Sequence, residues 1–502
     1  MFHCELGENR GNGRTVVILG QADCYNPDHR SRRQKSVSSA GFTAKYLTIM
    51  TGKENAQRME KIVSLCKRRG FIFQASEIYG GLNGVWDYGP LGTELKNNLK
   101  QYWWKVIVRD RDDVVGLDGS ILTHPAALKA SGHVDTFTDP MVDCRTCKAR
   151  LRADQLAEKN GTKQCPNCGG KDLTEARPFN LMFQTQMGAS ADPTSIAYLR
   201  PETAQSIFVQ FKNVLDVSRK KLPFGIAQIG KAFRNEINPR NFTFRSREFE
   251  QMELEYFCRP EQGMDLLAYW LKERIRFYEE IGINRKRLHL LDVPDKDRAF
   301  YSKGTFDIEY EFPFGRQELE GVAYRTDYDL QQHIKSSGKT LDYFDEETKE
   351  RFVPHVVEPS AGVDRTVLAL ICDAYDEDSA PDEKGKMETR IVMRFHPRMA
   401  PIKCAVFPLL KNKEALVAKA REVQALLRSH MNVFYDEGGA IGRRYRRQDE
   451  IGTPFGVTID FETLGEKGEE LRDTVTLRDR DSMKQERVAI KDLVETISSK
   501  IR

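Results

Sequence analysis

The chain has 502 residues, of which 40% are hydrophobic and 30% charged, and its formal net charge is +4. This composition is ordinary for a soluble protein of two to four domains, and its small positive charge neither requires nor excludes nucleic acid. No apolar run approaches the roughly 20 residues of a membrane helix, so we expect no membrane partner and a cytoplasmic location.

Residues 1–56 differ from the rest of the chain in composition and in their lack of periodicity. They contain Gly, Asn and Ser with a basic run, RSRRQK at 30–35, and show no sustained periodicity. A targeting peptide is one alternative, but transit peptides are poor in acidic residues. This segment contains Glu5, Glu8, Asp23 and Asp28. We interpret it as a disordered extension, or as an over-extended start that precedes Met59.

Two amphipathic helices are predicted next. The first, within AQRMEKIVSLCKRRG, has an apolar face and ends at Gly70, which is typical of a C-cap. The second follows WDYGPLG and carries an apolar stripe at nearly constant spacing of four. The stripe consists of Leu91, Leu95, Leu99, Trp103 and Val106. Taken alone, this pattern predicts only a helix packed on a core.

Two Cys-x-x-Cys pairs lie in a short segment at 141–178. Cys144 and Cys147 form the first pair, and Cys165 and Cys168 form the second. The pairs enclose 17 residues, a spacing typical of a four-thiolate zinc site. A thioredoxin-like redox pair and four free thiols are the alternatives. We expect a structural zinc ion that holds together an insert too small for its own core, and reduced thiols elsewhere.

A long β-hairpin is predicted at 224–257. Two apolar runs, Phe224 to Phe233 and Phe249 to Phe257, flank a polar loop. The loop region carries Arg234, Arg240, Arg245 and Arg247. Guanidinium groups suit a polyphosphate because each can bind two oxygens. Glu236 follows Arg234 by two residues, so we expect both side chains on one strand face. The alternative is a charged hairpin on a solvated sheet edge.

After Pro401 the chain alternates strand-like and helix-like segments over about 100 residues, which predicts a compact α/β domain at 401–502. One predicted helix in this domain, IGRRYRRQDE, contains the densest basic run of the chain. The run is usually read as a solvated helix face. With Tyr445 among the arginines it also suits RNA, because single-stranded loops favour aromatic and guanidinium stacking. We expect Arg443, Arg444 and Arg447 to contact RNA.

The hairpin resembles motif 2 of the class II aminoacyl-tRNA synthetases, which reads Arg-x-Glu, a loop, then Arg-x-x-x-Phe. The run EPSAGVDR (358–365) is similar to motif 3, and WDYGPLGTELKNNLKQYWWKVIV is similar to motif 1. The strings SEIYGGLNGVWDYGPLG, ASGHVDTFTDPMVDC, RPETAQSIFVQF and QELEGVAYRTDYDL closely resemble the homodimeric glycyl-tRNA synthetases. The resemblance runs from about Met59 to the C-terminus. It departs at Arg316, where the family usually has Trp.

The resemblance implies a fold and a domain order. A class II catalytic domain at 57–400 would have an antiparallel sheet flanked by helices, so that the whole is of the α+β class. A zinc-ribbon-like insert would interrupt it at 141–178, and 401–502 would form the α/β anticodon-binding domain. The motif 1 helix and the strand after it, which ends near Pro125, would build the interface of a homodimer.

The resemblance also assigns roles in an ATP site. Arg234 would bridge the α-phosphate and the glycine carboxylate, Arg245 would reach the terminal phosphates, and Arg365 would bind the γ-phosphate. Arg234 and Arg365 would be the catalytic residues. Glu236 would accept from the adenine amine and Phe249 would stack on the ring. Glu318 would hold Mg²⁺, which takes few protein ligands; without the family, this residue reads equally well as a carboxylate facing solvent.

Glycine has no side chain to grip, so its recognition requires pairing of the ammonium group and exclusion of anything larger. Crowded carboxylates achieve both. Four residues match the glycine pocket of the family, namely Glu202, Glu253, Glu358 and Ser360, and Arg325 and Glu77 are lesser candidates. In a chain this rich in Glu, any one of these carboxylates could instead be an ordinary surface residue.

The resemblance implies ATP-dependent ligation of glycine to tRNA(Gly) through a glycyl-adenylate, with release of AMP and pyrophosphate. A class II synthetase for another small amino acid is a second interpretation. A non-catalytic RNA-binding or polymerase-accessory protein on the same scaffold is a third. The retained motif arginines argue against the third, and amino-acid-dependent pyrophosphate exchange distinguishes the first from the second.

Overall fold

A computed structural model describes residues 52–501, except 157, 160–161, 190–191, 193–194, 300 and 382–384. The extension at 1–56 therefore lies almost wholly outside the described residues. The helices are α1 (Gly52–Arg69), α2 (Pro90–Trp104), α3 (Pro125–Ala130), α4 (His133–Thr136), α5 (Ala204–Ser218), α6 (Gly263–Glu280), α7 (Tyr328–Ser337), α8 (Val363–Ala374), α9 (Glu414–Arg428), α10 (Ile441–Ile451) and α11 (Ile490–Ile501).

The strands of the first half are β1 (Ile72–Gln74), β2 (Trp86–Tyr88), β3 (Val114–Gly116), β4 (Leu122–Thr123), β5 (Thr138–Asp143), β6 (Arg150–Arg152), β7 (Glu158–Lys159), β8 (Thr162–Lys163), β9 (Arg177–Asn180), β10 (Phe183–Gln186), β11 (Ile196–Leu199), β12 (Phe224–Phe233) and β13 (Glu248–Cys258). Those of the second half are β14 (Leu288–Asp292), β15 (Gly304–Phe312), β16 (Gly315–Thr326), β17 (Tyr343–Phe344), β18 (Arg351–Phe352), β19 (His355–Gly362), β20 (Tyr375–Pro381), β21 (Met387–Met393), β22 (Cys404–Pro408), β23 (Val433–Tyr435), β24 (Phe455–Ile459), β25 (Thr474–Asp479) and β26 (Gln485–Ala489).

A seven-stranded sheet forms the centre of the first domain, in the order β14-β15-β16-β19-β13-β12-β3. All neighbours are antiparallel except β3 and β12. Strands β12 and β13 pair from Phe224 with Phe257 to Phe233 with Glu248, so the predicted hairpin is confirmed. Because β13 pairs with β19 on its other side, the motif 2 and motif 3 segments lie side by side in one sheet.

Helices cover this sheet with the apolar faces that the sequence indicates. In α2, Leu95, Leu99 and Trp103 are buried, as the spacing of four requires. The helix continues past Trp104 as a π-helical turn at Lys105–Arg109, which places Ile107 in the core. Helix α1 ends at Arg69 and Gly70 has a φ of 75°, which fits the predicted C-cap.

The cysteine-rich insert contains a small sheet of its own. Strands β6, β5 and β9 pair antiparallel, and β7 pairs with β8. Its core contains few side chains, chiefly Val142, Leu151 and the buried Cys144 and Cys165. So small a cluster removes little apolar surface from water, which is why we expect a further cross-link to stabilise the insert.

A second α/β unit follows at the C-terminus. Its sheet has the order β23-β22-β24-β25-β26, with β22 parallel to both β23 and β24. Helices α9 and α11 contribute Leu416, Leu427 and Ile497 to a hydrophobic core separate from that of the first domain. The first domain, with its largely antiparallel sheet, is of the α+β class, and the C-terminal domain is of the α/β class. Both classes agree with the prediction from the sequence. Among the described residues, no helix has the length and hydropathy needed to cross a membrane.

Candidate active site

A cavity of about 170 Å³ opens above the sheet where β12, β13, β16 and β19 meet. Gln251, Ser360 and Phe244 are among the residues that line it. The cavity is also lined by all six residues that the sequence assigns to ATP binding: Arg234, Glu236, Arg245, Phe249, Glu318 and Arg365. The hairpin loop therefore folds back over the sheet and meets the motif 3 helix.

Arg234 lies directly after the end of β12. Its guanidinium lies 5.4 Å from the ring centroid of Phe137 and 5.3 Å from that of Phe249. Its Nε donates to the carbonyl oxygen of Pro201 at 3.0 Å. These contacts orient the guanidinium between two aromatic rings, where it can face an anion in the cavity. Phe249 is the ring predicted to stack on adenine.

Glu236 lines the cavity, but from a turn and not from the strand on which it was predicted. Strand β12 ends at Phe233, and the N–H of Glu236 donates to the carbonyl oxygen of Arg234 at 2.7 Å in a tight turn. Strand alternation therefore does not set the direction of Arg234 and Glu236, and that step of the prediction was wrong. The turn still brings both to the cavity, and Glu236 Oε2 lies 3.6 Å from Arg245 Nη1.

Arg365 lies in the first turn of α8 and also lines the cavity. Its Nη1 lies 3.3 Å from Oε2 of Glu318, and its guanidinium lies over the Phe244 ring at 4.6 Å. Glu318 pairs across the sheet with Glu309. The sequence assignment missed Asp307, two residues before Glu309 on β15. Burial, with the charges of Glu318 and Glu309, raises the pKa of Asp307 to about 7.

The alternation of FDIEYEF was the signal that could have revealed Asp307, because it places acidic residues on one face of β15. Carboxylate oxygens close to bound phosphates are the ligands that Mg²⁺ prefers. Asp307 and Glu318 therefore fit a magnesium site as a donor set, with Arg365 beside them to bind phosphate.

Next to the cavity, buried carboxylates form a second cluster. Glu253 accepts from Ser360 Oγ at 2.6 Å, from Gln251 Nε2 at 3.2 Å and from the hydroxyl of Thr203. Burial and the charge of Glu202 raise the pKa of Glu253. Because Ser360 and Gln251 also line the cavity, they connect this cluster to the arginine site.

Glu358 and Glu202 complete the cluster. Glu358 accepts from Arg325 Nη1 at 2.8 Å, and Arg325 also pairs with Asp329 through two contacts of 2.8 Å. Burial raises the pKa of Glu358 to about 7, opposed by Arg325 and reinforced by the charge of Glu253. Glu202 accepts from Gln205 Nε2 at 3.0 Å. Arg325, a lesser candidate in the sequence, is thus in direct contact with the cluster.

Glu255 is a member of this cluster that the sequence assignment omitted. It follows Glu253 by two residues on β13 and therefore shares its face, which was a readable signal. Carboxylate oxygens of Glu253, Glu255 and Glu358 lie within 4.8 Å of one another. Glu255 is fully buried, and neither of its oxygens has a hydrogen-bond partner within the described part of the chain. Burial and the charge of Glu358 raise its pKa well above the usual range.

Glu77, the other lesser candidate, lies elsewhere. It belongs to an exposed turn at Glu77–Tyr79 and pairs with Lys67. It lines neither the cavity nor the carboxylate cluster. Glu77 therefore lies outside the candidate glycine pocket.

The four cysteines of the insert converge. Sγ of Cys144 lies 3.6 Å from that of Cys168, and Sγ of Cys147 lies 3.6 Å from that of Cys165. All four sulfurs lie within 4.8 Å of one another. Tetrahedral zinc with bonds of about 2.3 Å separates its sulfur ligands by roughly 3.8 Å, so this donor set fits zinc. Backbone hydrogen bonds lower the pKa of the Cys144 thiol. At Cys147 and Cys168, backbone hydrogen bonds are outweighed by hydrogen bonds with the neighbouring cysteines, which raise the pKa values of both thiols, so the fit to zinc rests on the geometry of the four sulfurs.

Comparison with known proteins agrees with this geometry. The model of the class II tRNA synthetase core domain (G, H, P, S and T) matches residues 189–375, and the anticodon binding domain matches 403–500. The glycine–tRNA ligase of Thermobifida fusca is 52% identical over 462 residues, which cover 89% of this chain and 98% of that protein. Those of Treponema denticola and Streptomyces coelicolor are 52% and 51% identical, and each alignment covers at least 88% of this chain and 97% of the relative.

The chain belongs to the glycine–tRNA ligases. It is a class II aminoacyl-tRNA synthetase, and the predicted combination of a class II core with an anticodon-binding domain is confirmed.

Helix α10 of this glycine–tRNA ligase carries the basic run, and the structure corrects part of its interpretation. Arg444 is only 2% exposed and donates to the carbonyl oxygens of Pro408 and Gly439. It therefore cannot contact RNA, and its prediction was wrong. Tyr445 packs on Phe407, and its hydroxyl forms a hydrogen bond of 2.6 Å with Thr458 Oγ1, so this half-buried ring is directed toward the sheet of the domain. Arg444 instead satisfies the backbone carbonyl oxygens of Gly439, before α10, and of Pro408, at the end of β22.

Arg443 and Arg447 instead line an open groove of about 630 Å³. Phe434, which is 41% exposed, lies in the same groove and was not among the predicted residues. Arg447 is anchored by Asp436, its Nε lying 3.1 Å from Oδ2. A flat ring beside two guanidinium groups is an arrangement that binds unstacked bases.

Proposed function

We propose that this glycine–tRNA ligase works through a glycyl-adenylate, and that the cavity and the carboxylate cluster are its ATP and glycine sites. One observation carries the proposal. Ser360 and Gln251 line the arginine cavity and both donate to Glu253. An ammonium group at the carboxylates and a polyphosphate at the arginines would therefore be direct neighbours, as condensation of an amino acid with ATP requires.

In the first step, an oxygen of the glycine carboxylate attacks the α-phosphorus of ATP. The new O–P bond forms as the bond to the β-phosphate oxygen breaks, and pyrophosphate leaves. Arg234 neutralises charge that grows on the α-phosphate, while Arg245 and Arg365 bind the leaving phosphates. A fixed guanidinium acts more strongly there than in water, because it needs no reorganisation during the reaction.

Magnesium would be held by Glu318 and Asp307. When bound to the phosphates, Mg²⁺ would neutralise charge on the leaving pyrophosphate. Arg365 contacts Glu318, so it keeps this carboxylate close to the position of the phosphates. Glu236 would accept from the exocyclic amine of adenine, whose ring would stack on Phe249.

In the second step, a hydroxyl of the terminal tRNA ribose attacks the glycyl carbonyl carbon. The ester bond forms, the bond to the phosphate oxygen breaks, and AMP leaves. Neither step uses a protein nucleophile, so the site works by positioning and charge neutralisation.

Glycine selectivity follows from the carboxylate cluster. Glu202, Glu253 and Glu358 would pair with the ammonium group, and Ser360 would fix Glu253. A methyl group in place of a glycine hydrogen would meet buried charged oxygens rather than an apolar wall. Larger amino acids are excluded because they would desolvate these carboxylates without pairing with them.

We assign tRNA contacts to Arg443 and Arg447, with Phe434 as a stacking platform, and a structural zinc ion to the four cysteines. We also propose a homodimer, built around α2 and the chain after it. The exposed apolar residues Ile78 and Tyr79, at 89% and 87% exposure, support an interface close to the start of α2. Analytical ultracentrifugation tests this: a monomer at micromolar concentration contradicts it.

Pyrophosphate exchange into ATP tests the main proposal. Glycine should support exchange without tRNA, whereas alanine and serine should support it at least about 100-fold less well. Exchange that requires tRNA would contradict a free adenylate. Equal exchange with alanine would contradict the glycine pocket.

A further inference from the structure

His133 contacts the glycine pocket from outside the three motifs. Its Nε2 lies 3.3 Å from Oε2 of Glu202, and its Nδ1 lies 2.8 Å from Oγ of Ser131. The side chains of His133 and Glu202 are 13% and 16% exposed, so water competes little with their contact. Nothing in the sequence pointed to this residue beyond its place in ASGHVDTF.

Hydrogen bonds around His133 fix the direction of the imidazole. The Ser131 hydroxyl donates to the carbonyl oxygen of Leu128 at 3.1 Å, and its oxygen also lies 2.8 Å from Nδ1. With Nδ1 held there, Nε2 is turned toward Glu202, whose carboxylate can accept from it in a charge-assisted hydrogen bond.

Glu202 depends on this contact for its direction. Burial disfavours the ionised carboxylate, but His133 outweighs burial and holds the pKa of Glu202 below its usual range, with help from Arg325. Gln205 fixes the other oxygen at 3.0 Å. Without a donor at the position of Nε2, the carboxylate would keep Gln205 as its hydrogen-bond partner, and the oxygen that faces His133 would lose its fixed position.

The segment that carries His133 is anchored at both ends. Phe137, four residues later, lies against Arg234, and its carbonyl oxygen accepts from the N–H of Leu181 at 3.1 Å. Asn180 Nδ2 donates to the carbonyl oxygen of Val134 at 3.0 Å. Since β5 starts at Thr138 and β9 ends at Asn180, the sheet of the cysteine insert supports this segment directly.

We propose that His133 is a positioning residue of the glycine pocket, which keeps the Glu202 carboxylate aimed at the ammonium group of glycine. This inference rests on the proposed assignment of Glu202 to glycine. The contact lies on the ammonium side of the site, so its loss should weaken glycine binding and leave ATP binding unchanged.

Substitution of His133 tests the inference in glycine-dependent pyrophosphate exchange by the full-length protein. His133→Ala should raise the KM for glycine about tenfold, as expected for loss of one charge-assisted hydrogen bond, with kcat and the KM for ATP within about twofold. His133→Gln retains an amide donor and should recover most of the affinity. Asp135→Ala, on the exposed side of the same helix, is the matched control and should behave as the parent.

Two further variants distinguish a lost hydrogen bond from a destabilised segment. His133→Met fills a similar volume but has no hydrogen-bond donor. It should therefore raise the KM for glycine as much as His133→Ala does, although alanine, being smaller, can also destabilise the segment. In a Glu202→Gln background, His133→Ala should add less than about twofold to the KM for glycine, because the two residues act through one group. A general loosening would instead raise the KM for ATP in both backgrounds.

The role of His133 and the assignment of Glu202 can fail separately. If Glu202→Gln raises the KM for glycine but His133→Ala and His133→Met do not, the role of His133 is overturned and the glycine pocket stands. If Glu202→Gln itself leaves the KM within twofold of the parent, the pocket assignment falls. Failure of His133→Gln to recover affinity also contradicts the inference, because it retains the donor.

Discussion

Arg390 Nη1 donates to Asp449 Oδ2 at 3.1 Å across the boundary between the two domains, and both side chains are at most 2% exposed. Asp449 also accepts from Arg478 Nη1 at 2.8 Å, while Arg390 binds Asp378 with its Nε at 2.7 Å. Arg390 lies on the hairpin that follows α8. Asp449 lies on α10, the helix that carries the basic groove. The ion network therefore joins the hairpin after α8 to α10, the helix that carries the candidate tRNA groove.

Asp449→Ala should uncouple the domains. It leaves Arg390 and Arg478 buried without this carboxylate, and breaking a buried pair in this way costs about 3–5 kcal/mol. We expect a marked fall in Tm and earlier proteolysis between the domains, with charging of tRNA reduced more than pyrophosphate exchange. Lys413→Ala, which removes an exposed pair with Glu466, is the control and should change stability by less than about 1 kcal/mol. Unchanged Tm in Asp449→Ala would mean that the network contributes no stability.

Arg234→Ala should lower glycine-dependent pyrophosphate exchange by about two orders of magnitude or more, because its charge acts on the transition state. The fold should persist, since the residue follows β12 and lies at the edge of the cavity. Arg276→Ala removes a surface arginine that is 65% exposed and should leave exchange unchanged. Exchange within a few-fold of the parent in Arg234→Ala contradicts the assignment.

The KM for glycine should fall as pH rises from about 6 to 8. The pKa of Glu358 is raised to about 7, so this carboxylate gains its charge in that interval and can then pair with the ammonium group. Glu358→Gln should weaken this dependence of the KM for glycine, whereas the pH dependence of the KM for ATP, to which Asp307 contributes, should stay as in the parent. A KM for glycine that rises with pH would contradict the assignment.

The raised pKa of Glu358 also predicts how the stability of the substrate-free protein depends on pH. The folded pKa of Glu358 lies above the usual carboxyl value, so folding takes up a proton between the two. Its contribution is therefore favourable at low pH and is lost as pH rises through about 7. Thermal unfolding of Glu358→Gln should depend less on pH than that of the parent over this range.

Purified protein should contain about one zinc ion per chain, bound by the four cysteines of the insert. Cys165→Ser should lower the zinc content and make 138–180 sensitive to protease, with a smaller effect on exchange than on tRNA charging. Cys404→Ala alters a buried cysteine of the other domain and should leave zinc unchanged. Absence of zinc from freshly prepared, unchelated protein contradicts the site.

Replacement of Arg443 and Arg447 with Ala should weaken tRNA binding and reduce its salt dependence, because fewer phosphate contacts then release counterions. Exchange should be unaffected, since the proposed ATP and glycine residues lie in the first domain. Arg428→Ala, an exposed arginine on α9, is the control. Equal losses of exchange and charging would show that the groove supports the fold rather than RNA. Substitution is a cleaner test than truncation near Ala400, which would leave Arg390 without Asp449.

Features that depend on local periodicity and spacing were already defined in the amino-acid sequence. Alternation defined β12 and β13, the spacing of four defined the buried face of α2, and the cysteine spacing defined the convergence of four sulfurs. The sequence also indicated the arginines and carboxylates that meet around the cavity, because a motif carries its residues at fixed offsets along the chain.

Only the tertiary structure determined which side chains of each helix and strand face the interior, and which distant segments come into contact. On α10, Arg443 and Arg447 are one turn apart and face the groove, whereas Arg444 points to the loop carbonyls that it satisfies. His133 meets Glu202 only because the insert closes on itself and returns the chain to the sheet. Such contacts depend on packing between elements, and a helical or strand period does not determine which neighbour a face will meet.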